Sequence, residues 1–407
     1  MRIYFSGIGG VGIGPLARIA RDAGYDMLGS DSTESLITRE LENSGITISY
    51  DQSGAYLKKS HLNAPIDWFV HTAALADDHP ELVAARALGI KTSKRDELLA
   101  HIIDEKGLKL IAVAGTHGKT TTTGMLVWTL KQLGIPVSYS IGTTLSWGPS
   151  GHYDPASEYF VYECDEFDRN FLMFSPYLSL ITNVEYDHPD TYASADAYDD
   201  AFKQFADQSQ QLITWSNPLF AHHQDAWLLE GTLSIALAGE HNRQNATLAL
   251  KALEKLHLDS SQLLVESFPG TNRRFEKLGD NLYTDYGHTP TEIKATLQLA
   301  RELSDHVILI YQPHQNIRQH EIRVQYTDEI FDDADDVYWL PTYLSREDPN
   351  LAILTPAELT AQLTTTSVWQ SELDDQLWDS ITQQRAKGKL VLAMGAGSID
   401  SWIRSKL

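Results

Sequence analysis

The chain has 407 residues, of which 42% are hydrophobic and 21% charged, and a formal charge of −23. That length exceeds one ordinary core and calls for two or three globular domains. The acid excess argues against nucleic acid, which needs basic stripes, and against an anionic membrane surface. No run approaches 18 apolar residues, so no membrane insertion is expected. The N-terminus runs straight into a strand pattern rather than a signal peptide, and the lone cysteine, Cys164, excludes an internal disulfide. A reducing, cytoplasmic setting is expected.

A first strand is expected over 2–6, then Gly7-Ile8-Gly9-Gly10-Val11-Gly12, then a helix closing at Gly24. A second strand over 25–29 ends at Ser30-Asp31. Gly7, Gly9 and Gly12 with Asp31 form a dinucleotide fingerprint. Its glycines set a pyrophosphate on a helix N-terminus, and the acid meets a ribose hydroxyl. The pattern suits any nucleotide diphosphate, not only NAD. Another strand is expected over 66–71, and a polar break at 104–107 closes this unit.

An apolar run over 108–113 then meets Gly115-Thr116-His117-Gly118-Lys119-Thr120-Thr121 and a helix pattern over 121–133. A strand that ends in glycines and restarts as a helix is a phosphate cradle. Backbone N–H groups approach the phosphate, Lys119 neutralises it, and the Thr120 hydroxyl can hold Mg²⁺. Val113 stands at the first glycine position of the longer G-x-x-x-x-G-K-[ST] pattern, so the match is to the shorter G-T-x-G-K-T. A nucleoside triphosphate is the expected ligand.

Two further strand ends carry polar groups. Glu163 closes a strand over 159–162, within the acidic run 163–168. A carboxylate at a strand's C-terminal end suits Mg²⁺, which takes one or two carboxylates plus phosphate; an acidic run is otherwise a solvated loop. Asn183 and Asp187-His188 follow a strand over 177–182, where His188 suits a second metal or a proton. Cys164 is expected inside the buried strand beside these acids, with a raised pKa and no reactivity.

His241-Asn242 and Asn245 open a helix over 246–256, where an asparagine amide can read adenine or simply cap the helix. Phe268-Pro269-Gly270 reads as a linker, and Arg273-Arg274 offers a guanidinium fork for phosphate. A strand over 282–285 ends in Asp285-Tyr286-Gly287-His288, and Thr289-Pro290-Thr291-Glu292 is a capping box for a helix to about 303. A strand over 307–311 ends in Gln312-Pro313-His314, with Arg318 in the loop. A second capping box at 355–358, a strand over 390–393 and a terminal helix complete the chain. Alternating strands and helices give the fold class: α/β with parallel sheets, in three domains at 1–106, 107–267 and 268–407.

Taken together and in order, these motifs resemble the Mur ligase family over essentially the whole chain. The Asp-Tyr-Gly-His and Gln-Pro-His stretches are similar to its alanine-adding branch. The resemblance implies an N-terminal Rossmann-like domain for a UDP-sugar, a central P-loop ATPase-type domain and a C-terminal Rossmann-like domain. It implies ATP-dependent joining of L-alanine to the lactyl carboxylate of UDP-N-acetylmuramate through an acyl phosphate, in peptidoglycan precursor synthesis. The alternative is a ligase that attaches a preformed peptide to the same sugar nucleotide. ATP and Mg²⁺ are the implied cofactors, with no nucleic-acid partner and a monomer or homodimer as the assembly.

By the same resemblance, Gly115, Thr116, His117, Gly118, Lys119, Thr120 and Thr121 hold ATP. Thr120, Glu163 and His188 hold metal, and His241 and Asn245 serve adenine. Arg274 touches the transferred phosphoryl group and Asp285 the ribose. Lys119, Glu163, His188 and Arg274 are the implied catalytic set. Gly7, Gly9, Gly10, Gly12, Asp31, Asn183, His288, His314 and Arg318 are the implied substrate contacts. Three departures stand out: Gln315 replaces the family's basic residue after Gln-Pro-His, Thr289 replaces a second histidine, and the stretch from His188 to His241 is short.

Overall fold

The computed structural model describes residues 1–407 except 73–74, 189–190 and 346. Three sheets follow one another along the chain. The first contains β1 (Arg2–Ser6), β2 (Asp26–Ser30), β3 (Thr47–Ser49), β4 (Trp68–His71) and β5 (Lys91–Lys94). Its order is β3-β2-β1-β4-β5, with every pair parallel. The order reverses between β1 and β4, so the crevice beyond their C-terminal ends is a topological switch point. The apolar Ile3, Tyr4 and Phe5 make β1 a fully buried strand, as a sheet covered on both faces requires.

The second sheet contains β6 (Lys109–Ala114), β7 (Val137–Ser140), β8 (Gly151–His152), β9 (Tyr159–Glu163), β10 (Leu178–Ile181), β11 (Leu212–Trp215) and β12 (Ala226–Leu229). Its order is β12-β11-β10-β6-β9-β7-β8, parallel except for β8. The phosphate-cradle strand β6 is therefore central, with β9 and β10 as neighbours. Their C-terminal ends bring Glu163 and the 182–188 loop to the same rim.

The third sheet contains β13 (Glu276–Gly279), β14 (Leu282–Asp285), β15 (Val307–Tyr311), β16 (Asp336–Trp339), β17 (Val368–Gln370) and β18 (Leu390–Met394). Its order is β13-β14-β18-β15-β16-β17, with only the β13–β14 pair antiparallel. Both predicted capping boxes form, at Thr289/Glu292 and Thr355/Glu358. The helix Pro290–Leu303 ends where its apolar period does.

The chain divides into two compact units, Met1–Thr232 with Asn245–Pro269, and Leu233–Gln244 with Gly270–Leu407. The first two sheets share the first unit. The segment Leu233–Gln244 belongs with the third sheet, where Arg243 Nη1 and the Gly239 N–H both donate to Glu302 Oε2 at 2.9 Å. Cys164 lies one residue past the end of β9 rather than inside it, and is fully buried with its thiol pushed well up by that burial. Among the described residues, no helix is long and apolar enough to cross a membrane.

Candidate active site

The loop that follows β6 turns into the helix Lys119–Gln132 at Gly118, which has φ +82°. A Cβ there would lie 2.5 Å from Asn245 Oδ1. At Gly115, φ is +130° and a Cβ would lie 2.1 Å from Thr182 Oγ1. Only glycine fits either place, because the backbone is left-handed and presses on a neighbour. The loop is then clamped from the strand end beyond β10. His117 N–H donates to Asn183 Oδ1 at 2.9 Å, and Asn183 Nδ2 donates to the His117 carbonyl at 3.0 Å. Asn183, read from the sequence as a substrate contact, has its amide committed to shaping the cradle. The Thr116 hydroxyl is likewise tied to Tyr198 and the Glu185 backbone.

Two pairs of functional groups stand at the helix start. The Thr120 hydroxyl donates to Glu163 Oε1 at 2.6 Å, and Glu163 Oε2 accepts the Gly142 N–H at 2.6 Å. Lys119 Nζ donates to Glu166 at 2.7 and 2.9 Å and to the Gly115 carbonyl. Glu166 is 1% exposed. Its Oε1 also lies 3.6 Å from His188 Nε2. Burial opposes all three charges, but the pairing wins. The Lys119 and His188 pKa values are raised and that of Glu166 is lowered. His188 itself has φ +58° and packs edge-on against Phe167.

Glu166 escaped the sequence reading. It sits in an acidic run that looks like a solvated loop, yet each acid has a distinct partner. Asp165 faces Arg95 at 3.7 Å, and Asp168 pairs with Lys94. The run therefore joins the rim of the first sheet to the phosphate cradle.

At the first sheet, Asp31 Oδ2 accepts the Gly9 N–H at 2.7 Å, so it braces the glycine loop. Its other oxygen accepts the Thr33 N–H at 3.3 Å. Beneath, the fully buried Glu81 accepts the hydroxyls of Tyr4, Ser6 and Ser30 at 2.5–2.7 Å. That carboxylate locks β1 to β2 and also went unseen in the sequence.

In the second unit, Asp285 is 7% exposed and accepts the Phe275 and Gly287 N–H groups at 2.8 and 2.7 Å. Burial raises its pKa against the pull of Arg274. Arg274 lies over the Tyr286 ring and 3.8 Å from Glu292. Glu292 Oε2 accepts the His288 N–H at 2.9 Å, and His288 Nε2 is 3.0 Å from Arg318 Nη1. His314 meets the His288 ring edge-on and stacks on Tyr343. Burial, then His288 and Arg318, hold His314 down to about 4. The structure thus gathers His288, His314 and Arg318 into one corner, with the Arg318 guanidinium as its cation. His241 is also held down to about 4, first by burial and then by Arg243 and Arg274. Its Nδ1 is buried without a hydrogen-bond partner among the described residues. Asn245 is buried beside Gly118.

Three family models match in chain order. They are the Mur ligase family catalytic domain over 2–106, the Mur ligase middle domain over 113–226, and the Mur ligase glutamate ligase domain over 273–397. A UDP-N-acetylmuramate–L-alanine ligase of Carboxydothermus hydrogenoformans is 32% identical, covering 98% of this chain and 95% of its own. One of Nocardioides sp. is 31% identical, over 98% and 94%. Among solved structures, the UDP-N-acetylmuramate-alanine ligase of Thermotoga maritima superposes with a TM-score of 0.76 at 26% identity, covering 100% of this chain and 98% of its own. A murein peptide ligase of Psychrobacter arcticus shares the fold, with a TM-score of 0.65 at 23% identity over 100% and 98%. The chain belongs to the Mur ligase family.

Proposed function

We propose that this chain is an ATP-dependent ligase that joins L-alanine to the lactyl carboxylate of UDP-N-acetylmuramate, with ADP and phosphate as the other products. The observation that carries the reading is the convergence of Lys119, Thr120 and Glu163 on one glycine cradle. Thr120 and Glu163 present hard oxygen donors 2.6 Å apart, which fits Mg²⁺. In this reading Thr120 and Glu163 hold that ion and His188 a second one. Bound there, the metal neutralises charge on the phosphates.

An amine cannot displace oxide from a carboxylate, so the acid must first be activated. The γ-phosphoryl group of ATP passes to the carboxylate, the alanine amine attacks the acyl phosphate, and phosphate leaves. Both reactants are anionic, so the work of the protein is positioning and charge neutralisation. Backbone N–H groups from Gly115 to Thr121 bind the phosphates, and Lys119 exchanges Glu166 for phosphate oxygens. Asn245 and His241 serve adenine. Arg274 serves the transferred phosphoryl group and Asp285 the ribose, each beyond its present partners. The loop Gly7, Gly9, Gly10 and Gly12, braced by Asp31, takes the sugar nucleotide. His288, His314 and Arg318 receive the amino acid, whose carboxylate matches the Arg318 guanidinium. The division at 1–106, 107–267 and 268–407 is the proposed division of labour, and its soluble substrates put the reaction in the cytoplasm.

A second reading, attachment of a preformed peptide, rests on Gln315, which by the family resemblance replaces a basic residue. One assay tests both. Purified protein is given ATP, Mg²⁺, UDP-N-acetylmuramate and either L-Ala, L-Ser, Gly or a tripeptide, with phosphate release and product mass recorded. An alanyl product supports the first reading and a peptidyl product the second; no new amide with any acceptor defeats both.

A further inference from the structure

The loop from Gly7 to Gly12 carries no charged side chain, and the first turn of the helix Ile13–Asp22 holds none either. A diphosphate placed there would meet backbone N–H groups and the positive end of a helix, but no cation from the loop itself. The missing charge comes from another element. Arg95 is the first residue of the helix Arg95–Glu105, directly after β5 on the same rim of the sheet. A Cβ built on Gly12 would lie 2.3 Å from Arg95 Nη1 and 3.5 Å from its Cδ. The guanidinium therefore points its Nη1 end at Gly12, into the space a side chain there would fill.

Its far side is anchored. Arg95 Nε donates to Asp96 Oδ2 at 3.3 Å, and Nη2 lies 3.7 Å from Asp165 Oδ2. Asp96 is itself 1% exposed and accepts the Tyr162 hydroxyl at 2.6 Å. Nη1 donates no hydrogen bond to any described residue. The Arg95 side chain as a whole is 32% exposed. A fork fixed on one edge by two carboxylates, with its other edge free at a glycine loop, is prepared for an oxyanion.

We propose that Arg95 binds the diphosphate of the sugar nucleotide as its side-chain cation. The proposal rests on the reading of the 7–12 loop as the diphosphate site. It predicts discrimination by phosphate count, which a role confined to bridging Asp96 and Asp165 would not produce.

The test is calorimetric titration of uridine, UMP and UDP into wild-type protein and the variants Arg95→Ala and Arg95→Lys, with ADP as the control ligand for the Lys119 cradle. Arg95→Ala is expected to weaken UDP about 10- to 100-fold, the scale of one charge-assisted contact. Uridine and ADP should change less than about 2-fold, and Arg95→Lys should recover part of the UDP loss. Unchanged UDP affinity in Arg95→Ala overturns the proposal. Equal losses for UDP, uridine and ADP overturn it too, since they mark a purely structural bridge. Should Arg95→Ala fail to fold, Arg95→Lys decides on the same ratio of UDP to uridine. If wild-type protein binds ADP but no uridine nucleotide, the reading of the loop itself falls.

Discussion

Lys119 Nζ lies 2.7 Å from Glu166 Oε2, and this is a buried ion pair. An ammonium in a phosphate cradle carries its own counter-ion while phosphate is absent. Breaking such a pair on one side leaves an uncompensated buried charge, which costs about 3–5 kcal/mol. Glu166→Gln is therefore expected to lower unfolding stability by about 3 kcal/mol in urea titration. The double variant Lys119→Met/Glu166→Met should lose less than the sum of the two single changes, since neither charge is left alone. Additive losses would mean that the pair is not coupled.

Activity separates the two halves of the first unit. Lys119→Ala removes the cation of the triphosphate cradle, yet leaves the 7–12 loop untouched. ADP release should fall at least about 10³-fold, in line with the loss of a preorganised charge. Binding of UDP-N-acetylmuramate, followed by fluorescence or calorimetry, should stay within about 3-fold. Turnover near the wild-type rate would refute the cradle assignment.

Glu163 and Thr120 make a distinct prediction, because their oxygens meet at 2.6 Å. Glu163→Gln keeps the volume and one hydrogen bond to Thr120, but loses the charge that suits Mg²⁺. The Mg²⁺ concentration for half-maximal ATP turnover should rise about 10-fold or more, with the melting temperature little changed. A rise in the ATP requirement alone, at unchanged Mg²⁺ dependence, would assign Glu163 to the Gly142 loop instead.

Most of this site was legible before the structure, for a local reason. Glycines flanking Lys119, the capping box Thr289/Glu292 and apolar strands such as β15 are encoded within a few residues. What escaped depends on distant partners. Glu166, Arg95 and Glu81 look like ordinary charged residues until β9, β5 and β1 bring Lys119, Gly12 and three hydroxyls to them. Polar edge strands such as Lys91–Lys94 were missed because pairing with β4, not an apolar pattern, makes them strands. Asn183 was read as a substrate contact from the family resemblance and Asp31 from its place in the glycine fingerprint; the structure adds that each also serves loop backbone. An amide or carboxylate at a strand end suits either use, and only the third dimension separates them.

Acid should act through His241 and His314, each held down to about 4. In the unfolded chain a histidine titrates near 6.5. Between these values the unfolded state binds more protons, so stability rises with pH across that window. Their contribution is complete above about 6.5 and is lost as pH falls through about 4. Melting temperature should therefore drop between pH 7 and pH 4, and His314→Gln should flatten part of that slope. His188 runs the other way: with its pKa raised by Glu166 despite burial, its contribution is present in acid and lost as pH rises through the folded value. A His314→Gln slope identical to wild type would show that the ring is solvated and titrates freely.

Gln315 concentrates the question of the acceptor. It has φ +61° and ψ +117°, a backbone conformation that L residues avoid, held by its N–H donating to the Tyr343 carbonyl at 2.9 Å. Its side-chain amide makes no hydrogen bond to a described residue, although it follows His314 directly in the corner with His288 and Arg318. A neutral amide gives a carboxylate weaker hold than a guanidinium does. The expected result is a high KM for L-Ala and a ratio of kcat/KM for L-Ala over L-Ser or Gly below about 10. Gln315→Arg should lower KM for L-Ala about 10-fold with kcat nearly constant, because a carboxylate contact made equally in ground and transition states changes only binding. Strong exclusive use of L-Ala by the wild-type protein, or an unaltered KM in Gln315→Arg, would remove Gln315 from specificity and leave the choice to His288 and Arg318.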